Sequence, residues 1–328
     1  MTQTSYQSAI VLGGGAWGTA LACVAARAGL RTQILCRTDA QAATINDTRT
    51  NPAYLGDLPL RDDFTATTDP EAIRDADVVI LAIPTQSLRD SLPLYRPYIA
   101  PNAVLLNSAK GIELSSGKLV SAIITDVMGD HPQAILSGPS FARDVVSGLP
   151  TAVTIAANSE ALALDLAAQL SSPLFRIYGS GDLTGVEVGG ALKNVYALAA
   201  GIVNGLGFGD SAKAAIITRA FVEFTKLGAA MGGTPASFHG LSGFGDLMLT
   251  CSSPLSRNFA YGTAIGQGAS LDGLKLAEGV PTARIAAKIA EDRGIETPIL
   301  TTVKTILDGE TTATEAVSLL LERPIKSE

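Results

Sequence analysis

The chain has 328 residues, enough for two domains with separate cores, and with 47% apolar residues, 17% charged residues and 33 glycines it is folded and core-rich rather than disordered. A net charge of −7 with no basic run excludes a nucleic-acid binder. It leaves an anionic small molecule open, because such a ligand needs only local positive charge.

The N-terminus has no basic stretch ahead of its short apolar run, so a secretory signal is not expected. No run approaches the roughly 18 apolar residues of a membrane span. Ser8–Leu12 predicts a strand, and Gly13–Gly14–Gly15–Ala16–Trp17–Gly18 follows it directly. A helical pattern then runs to Ala28, stopped by Gly29, before a strand over Arg31–Cys36. This is GxGxxG in a βαβ setting and predicts dinucleotide binding. Gly13 makes the tight turn, Gly15 lets the pyrophosphate approach the backbone, and Gly18 lets helix and strand pack closely.

Specificity is set at the end of the second strand. An acid there would hold the ribose 2′-hydroxyl of NAD, but the positions are Cys36 and Arg37, and the first acid is Asp39. Arg37 suits a 2′-phosphate, so NADP(H) is favoured and NAD(H) is the second cofactor; the ordinary alternative is an arginine in solvent. The three cysteines, Cys23, Cys36 and Cys251, are scattered and form no CxxC pair. They fit a reducing cytoplasm and no bound metal.

Further strands are predicted over Val78–Ile83, Ala103–Asn107, Gln133–Leu136, Ala152–Ala156 and Phe175–Tyr178. Several are unbroken apolar runs, as in a buried parallel sheet. Lys110, in Ser108–Gly111, and the Ser137–Ser140 loop each follow a strand end, where open α/β sheets bind ligands. Taken alone, Gly138–Pro139–Ser140 is also ordinary turn chemistry.

Beyond Gly179–Asp182 helical patterns dominate, and the expected boundary lies near Gly185, giving a Rossmann-type, mostly parallel α/β domain over 1–185 and an all-α domain over 186–328. Gly189–Asn204 predicts a long helix with Gly190, Lys193, Ala197, Ala200 and Asn204 on one face. Val188, Leu192, Val195, Ala199, Ile202 and Leu206 form its packing side. Small residues around one ammonium leave room for a ligand, and partial desolvation suits a proton donor; alternatively Lys193 snorkels to water. A second helix is predicted over Ser211–Met231. Leu241–Thr250 reads as a glycine-rich loop that sets Asp246 among apolar neighbours. Ser256–Arg257–Asn258 opens a further helix, either as an anion site or as a serine cap with two surface polar residues. Glu278 and Gly279 read as a loop before the next helix.

In this order, GGGAWGTALA (13–22), SAKGIE (108–113), SGPSFA (137–142), GGALKNV (189–195), IVNGLGFGD (202–210), GFGDLMLT (243–250), SRN (256–258) and Glu278–Gly279 resemble the bacterial NAD(P)-dependent glycerol-3-phosphate dehydrogenases over nearly the whole chain. The resemblance implies reduction of dihydroxyacetone phosphate to sn-glycerol 3-phosphate for phospholipid synthesis. It implies Lys193 as the proton donor or acceptor at the substrate oxygen. Lys110 would contact cofactor and substrate. Gly138, Ser140, Asp246, Ser256, Arg257 and Asn258 would line the substrate site, with Arg257 and Asn258 near its phosphate. Ala16, Trp17, Arg37, Tyr54, Ala142, Arg257 and Glu278 would touch the dinucleotide. Asp246 holds a lysine or bonds a substrate hydroxyl; the residues alone leave both open. The site would complete where the two domains face each other. A homodimer is the assembly to consider. The alternatives are a related β-hydroxy-acid or ketopantoate-type reductase and, third, a dinucleotide-sensing module without catalysis.

Overall fold

A computed structural model describes residues 6–61, 63–275 and 277–321. Within them the chain divides into two units, Met1–Lys110 with Lys118–Glu187, and Gly111–Gly117 with Val188–Glu328. The segment Gly111–Gly117 thus joins the second unit, and the later division falls inside a helix rather than in a linker.

Among its described residues the first unit is built on eight strands: β1 (Ser8–Leu12), β2 (Arg31–Leu35), β3 (Thr65–Thr67), β4 (Val78–Leu81), β5 (Val104–Asn107), β6 (Gln133–Ser137), β7 (Thr151–Ala157) and β8 (Phe175–Ser180). Their order is β3-β2-β1-β4-β5-β6-β7-β8, and only β6 and β7 pair antiparallel. All five residues of β1 are buried. Val11 packs with Ile34 and Ile80 and with Ala20–Ala25 of the first helix, while Ile10 and Leu12 pack with Leu81, Leu88 and Leu92. Both faces of the sheet are therefore covered, which is why these strands read as unbroken apolar runs. Leu12 pairs with Leu35 and with Leu81, so β1, β2 and β4 end at one level. The loop after β1 starts at that level. Strand β3 was not legible in the sequence, being three residues at a sheet edge with only Ala66 buried.

The second unit contains no named strand among its described residues. Its long helix runs over Leu183–Gly205 and begins before the expected Gly189, because the Asp182 carboxylate accepts the Gly185 N–H at 2.8 Å and caps it. Among the described residues this helix alone is long and apolar enough overall to cross a membrane, although Lys193 and Asn194 interrupt its apolar run, and the window concerned is 100% buried in the protein. Such a helix is apolar all round because it is a core element.

The small residues also have a different use from the one expected. A Cβ on Gly201 would lie 2.2 Å from the Phe259 carbonyl oxygen, and one on Gly205 would lie 2.3 Å from that of Thr263. From the other side, a Cβ on Gly262 would lie 2.2 Å from Leu198 O and one on Gly266 would lie 2.3 Å from Ile202 O. Helix Leu183–Gly205 and helix Arg257–Gly266 therefore touch backbone to backbone, and glycine alone allows it. Ala197 and Ala200 are fully enclosed and serve packing, while Asn204 is exposed.

Candidate active site

In the first unit, Gly13 adopts φ +117°, and a Cβ there would stand 2.7 Å from Ala82 O. A Cβ on Gly18 would fall 1.9 Å from Gly13 O, so turn and helix interlock only as glycines. A Cβ on Gly15 would meet nothing within 4 Å, leaving the loop open where a pyrophosphate has to approach. Helix Ala16–Arg27 then starts at Gly15 with no side-chain cap and no acid in its first turn. Its N–H groups and positive dipole end suit an anion. Trp17 carries a buried Nε1 without a hydrogen-bond partner among the described residues. These features fit the phosphate part of a dinucleotide.

Arg37 is exposed just beyond β2, and Tyr54 is also exposed. The nearest acid, Asp39, accepts a hydrogen bond from the Thr68 hydroxyl, which engages it in the protein itself.

Past β5, Asn107 holds the next turn by accepting from Ala109 N at 2.9 Å and donating to Ala109 O at 3.2 Å. This turn presents Lys110, whose Nζ donates to Gly138 O at 3.4 Å. The Ser140 hydroxyl donates to the same carbonyl at 3.1 Å. Gly138 has φ +151°, and its Cβ would stand 2.8 Å from Val153 Cα. Lys110, Gly138 and Ser140 thus form one cluster, and Ala142 opens the short helix that follows.

In the second unit, Lys193 is 7% exposed and Asp246 1%. The Lys193 ammonium donates to Asp246 Oδ1 at 2.6 Å and to Thr250 Oγ1 at 2.8 Å. Lys193 is therefore ion-paired inside the protein and does not snorkel; the geometry gives Asp246 the lysine-holding role. Residues 241–250 are not the expected loop. Leu241–Gly245 form a wide helical turn, and Asp246–Ser252 continue as α-helix. This places Asp246 and Thr250 one turn apart on the same face, which brings both to Lys193. Gly243 of GFG serves packing: a Cβ there would sit 2.2 Å from Phe238 O. Beside the pair, burial pushes the Cys251 thiol up to about 12, with Lys193 lowering it and Asp246 raising it, so this cysteine stays a neutral thiol.

Ser256 caps helix Arg257–Gly266 by accepting from Phe259 N at 3.2 Å. The cap reading thus holds for Ser256, while Arg257 is exposed and Asn258 is buried rather than on the surface. Asn258 donates from Nδ2 to Asn194 Oδ1 at 3.0 Å and accepts Gly279 N at 2.8 Å on Oδ1. Asn194 directly follows Lys193, and Gly279 directly follows Glu278, so one side-chain amide ties the lysine-bearing helix to the start of helix Gly279–Asp292. Within their own units, the expected residues are therefore brought into three groups: Lys110 with Gly138 and Ser140, Lys193 with Asp246, and Asn258 beside Glu278. Thr250 and Asn194 were missed. Their signal was an i, i+4 spacing hidden by the loop reading, and an amide adjoining the lysine.

Among the described residues, no cluster of three or more His, Cys, Asp or Glu could hold a metal. His239 hydrogen-bonds Pro235 O through Nδ1 at 2.8 Å and packs edge-on to Phe221.

Residues 8–163 match the family model for the NAD-dependent glycerol-3-phosphate dehydrogenase N-terminus, and residues 182–318 match the model for its C-terminus. A glycerol-3-phosphate dehydrogenase [NAD(P)+] of Mesorhizobium japonicum is 52% identical over 319 residues, covering 97% of this chain and 93% of that one. The corresponding Brucella ovis protein is 50% identical, with 97% and 98% covered. The crystal structure of glycerol-3-phosphate dehydrogenase from Coxiella burnetii superposes with a TM-score of 0.90 at 32% identity, covering 97% of this chain and 99% of that one.

Proposed function

The chain belongs to the NAD-dependent glycerol-3-phosphate dehydrogenase family, and we propose that it reduces dihydroxyacetone phosphate to sn-glycerol 3-phosphate, and the reverse, with NADP(H) favoured over NAD(H). The observation that carries this reading is the buried ammonium of Lys193, held by Asp246 and Thr250. The bound reduced nicotinamide supplies a hydride to the substrate carbonyl carbon. Lys193 donates the proton to the carbonyl oxygen and, while still charged, stabilises the negative charge that builds there. Asp246 offsets the cost of burying that charge and fixes the position of Nζ. Thr250 adds a second fixed contact, so little reorganisation is needed when the proton leaves.

In this reading Arg257 and Asn258 receive the substrate phosphate at the start of their helix, next to the Ser256 cap. Lys110, Gly138 and Ser140 contribute to substrate binding, and Lys110 also to the dinucleotide. Gly13, Gly15, Ala16, Trp17, Gly18, Tyr54, Ala142, Arg257 and Glu278 hold the dinucleotide, while Arg37 takes its 2′-phosphate. The product would feed phospholipid synthesis in the cytoplasm, and the assembly would be a homodimer. Most of the dinucleotide contacts fall to the domain over 1–185, and the proton donor and phosphate contacts to that over 186–328.

Lys193→Ala tests the assignment. Its turnover should fall by about a hundredfold or more, while NADPH still binds. Because Asp246 then loses its partner, a melting curve accompanies the assay. A folded variant with unchanged turnover would overturn the role of Lys193.

A further inference from the structure

We infer that Asn51, together with Gln41 and Thr19, is a positioning group for the dinucleotide's pyrophosphate loop, setting which way the loop's peptide planes face. The inference rests on the dinucleotide reading above and deepens it.

Asn51 is 2% exposed and lies in none of the motifs of the glycine loop. Its Nδ2 donates to Gly14 O at 3.0 Å and to Thr19 Oγ1 at 2.8 Å. Gln41 Nε2 donates to the same Gly14 carbonyl at 2.5 Å and approaches Asn51 Oδ1 at 3.4 Å. Thr19 Oγ1 in turn donates to Gly15 O at 2.9 Å, and Thr19 N donates to that oxygen at 2.9 Å. Two successive carbonyls of the loop therefore each accept two donors, which matches the two lone pairs of a carbonyl oxygen.

This fixes direction. In a trans peptide the C=O and the following N–H lie in one plane and point in opposite directions. Holding Gly14 O and Gly15 O against the amide cluster turns the N–H groups of Gly15 and Ala16 away from it. Without the two amides the Gly14 carbonyl could rotate outward, where its partial negative charge would repel a phosphate, whereas Gly15 O is also held by the helix's own Thr19 N–H.

Asn51 is itself held firmly. Its carbonyl accepts Leu55 N at 2.8 Å and Tyr54 N at 3.1 Å, at the start of the short helix Pro52–Leu55. Gln41 comes from helix Asp39–Thr48, whose Thr38 cap adjoins Arg37. The clamp thus joins the turn that carries Arg37 to the loop that carries the glycines. Gly14 must be small for the same reason: a Cβ there would stand 2.8 Å from Gln41 Nε2 and 3.0 Å from Cys36 Sγ.

The test compares two ligands by isothermal titration in wild type, Asn51→Ala and Thr19→Val. One is 2′-phospho-ADP-ribose, which contains the pyrophosphate; the other is 2′-AMP, which lacks it. Both variants should bind 2′-phospho-ADP-ribose roughly tenfold more weakly, the loss of one net hydrogen bond, with 2′-AMP affinity within about twofold of wild type. Thr19→Val keeps the side-chain shape and serves if Asn51→Ala does not fold. Equal losses for both ligands, or no loss for either, would overturn the clamp. A wild-type protein that binds neither 2′-phospho-ADP-ribose nor ADP-ribose would instead overturn the dinucleotide reading itself.

Discussion

Lys193 and Asp246 illustrate what a single pair of residues can decide. A buried ion pair contributes little net stability, because desolvation consumes most of its Coulomb gain. What it does is hold a charge at a defined place in a medium where charge acts strongly. Arg257 presents the opposite case, an exposed guanidinium in a helix's first turn. If it meets the substrate phosphate, Arg257→Ala should raise KM for dihydroxyacetone phosphate by about 10- to 100-fold, the range for one charge-assisted hydrogen bond, with kcat much less affected. Steady-state kinetics with saturating NADPH checks this, and an unchanged KM would move the phosphate elsewhere. At this scale the sequence revealed residues whose chemistry is unusual for their surroundings, such as a lysine among alanines or an SRN triplet. Residues that act by holding others were not legible. Asn51 and Gln41 reach Gly14 across 37 and 27 positions, and no local pattern announces an amide that will bond a distant carbonyl. Asn194 was visible only as an interruption.

Elements were legible where one periodicity dominated. The strands from β4 to β8 were each expected, several of them as apolar runs, and the first βαβ unit as strand, glycine loop, helix and stop. Two readings failed for identifiable reasons. The Leu183–Gly205 helix begins early because Asp182 caps it, and a cap is one residue without periodicity. The glycines of Leu241–Gly245 suggest a loop, yet Gly243 permits close approach to the Phe238 backbone in a helical turn. Close approach also governs the contact between Leu183–Gly205 and Arg257–Gly266. Gly262→Ala would place a methyl group 2.2 Å from Leu198 O, where two backbones rather than a flexible side chain must yield. We expect a loss of about 3 kcal/mol, read as a fall in the urea midpoint at unchanged slope. A midpoint equal to wild type would mean that the two helices do not need the contact.

Across the molecule, the chain passes between its two units at Lys110/Gly111, Gly117/Lys118 and Glu187/Val188. Composition predicted two domains, but the excursion of Gly111–Gly117 was not legible, since nothing local marks a segment that packs with residues far along the chain. Glu187, at the last crossing, accepts Ser121 N at 2.7 Å and the Ser121 hydroxyl. Burial pushes its carboxyl up to about 7 despite those two lowering hydrogen bonds. A folded-state pKa above the unfolded value means that its stabilising contribution is complete below about 4.5 and disappears as pH rises through about 7. The stability of wild type relative to Glu187→Gln should therefore fall between pH 5 and pH 8 in parallel urea melts, whereas a flat difference would contradict the burial of an ionisable carboxyl there. The most direct test of the whole account is loss of nicotinamide absorbance when the purified protein meets dihydroxyacetone phosphate with NADPH or NADH. The account predicts rapid oxidation of NADPH and slower oxidation of NADH; no oxidation of either, in protein that demonstrably binds NADPH, would contradict it.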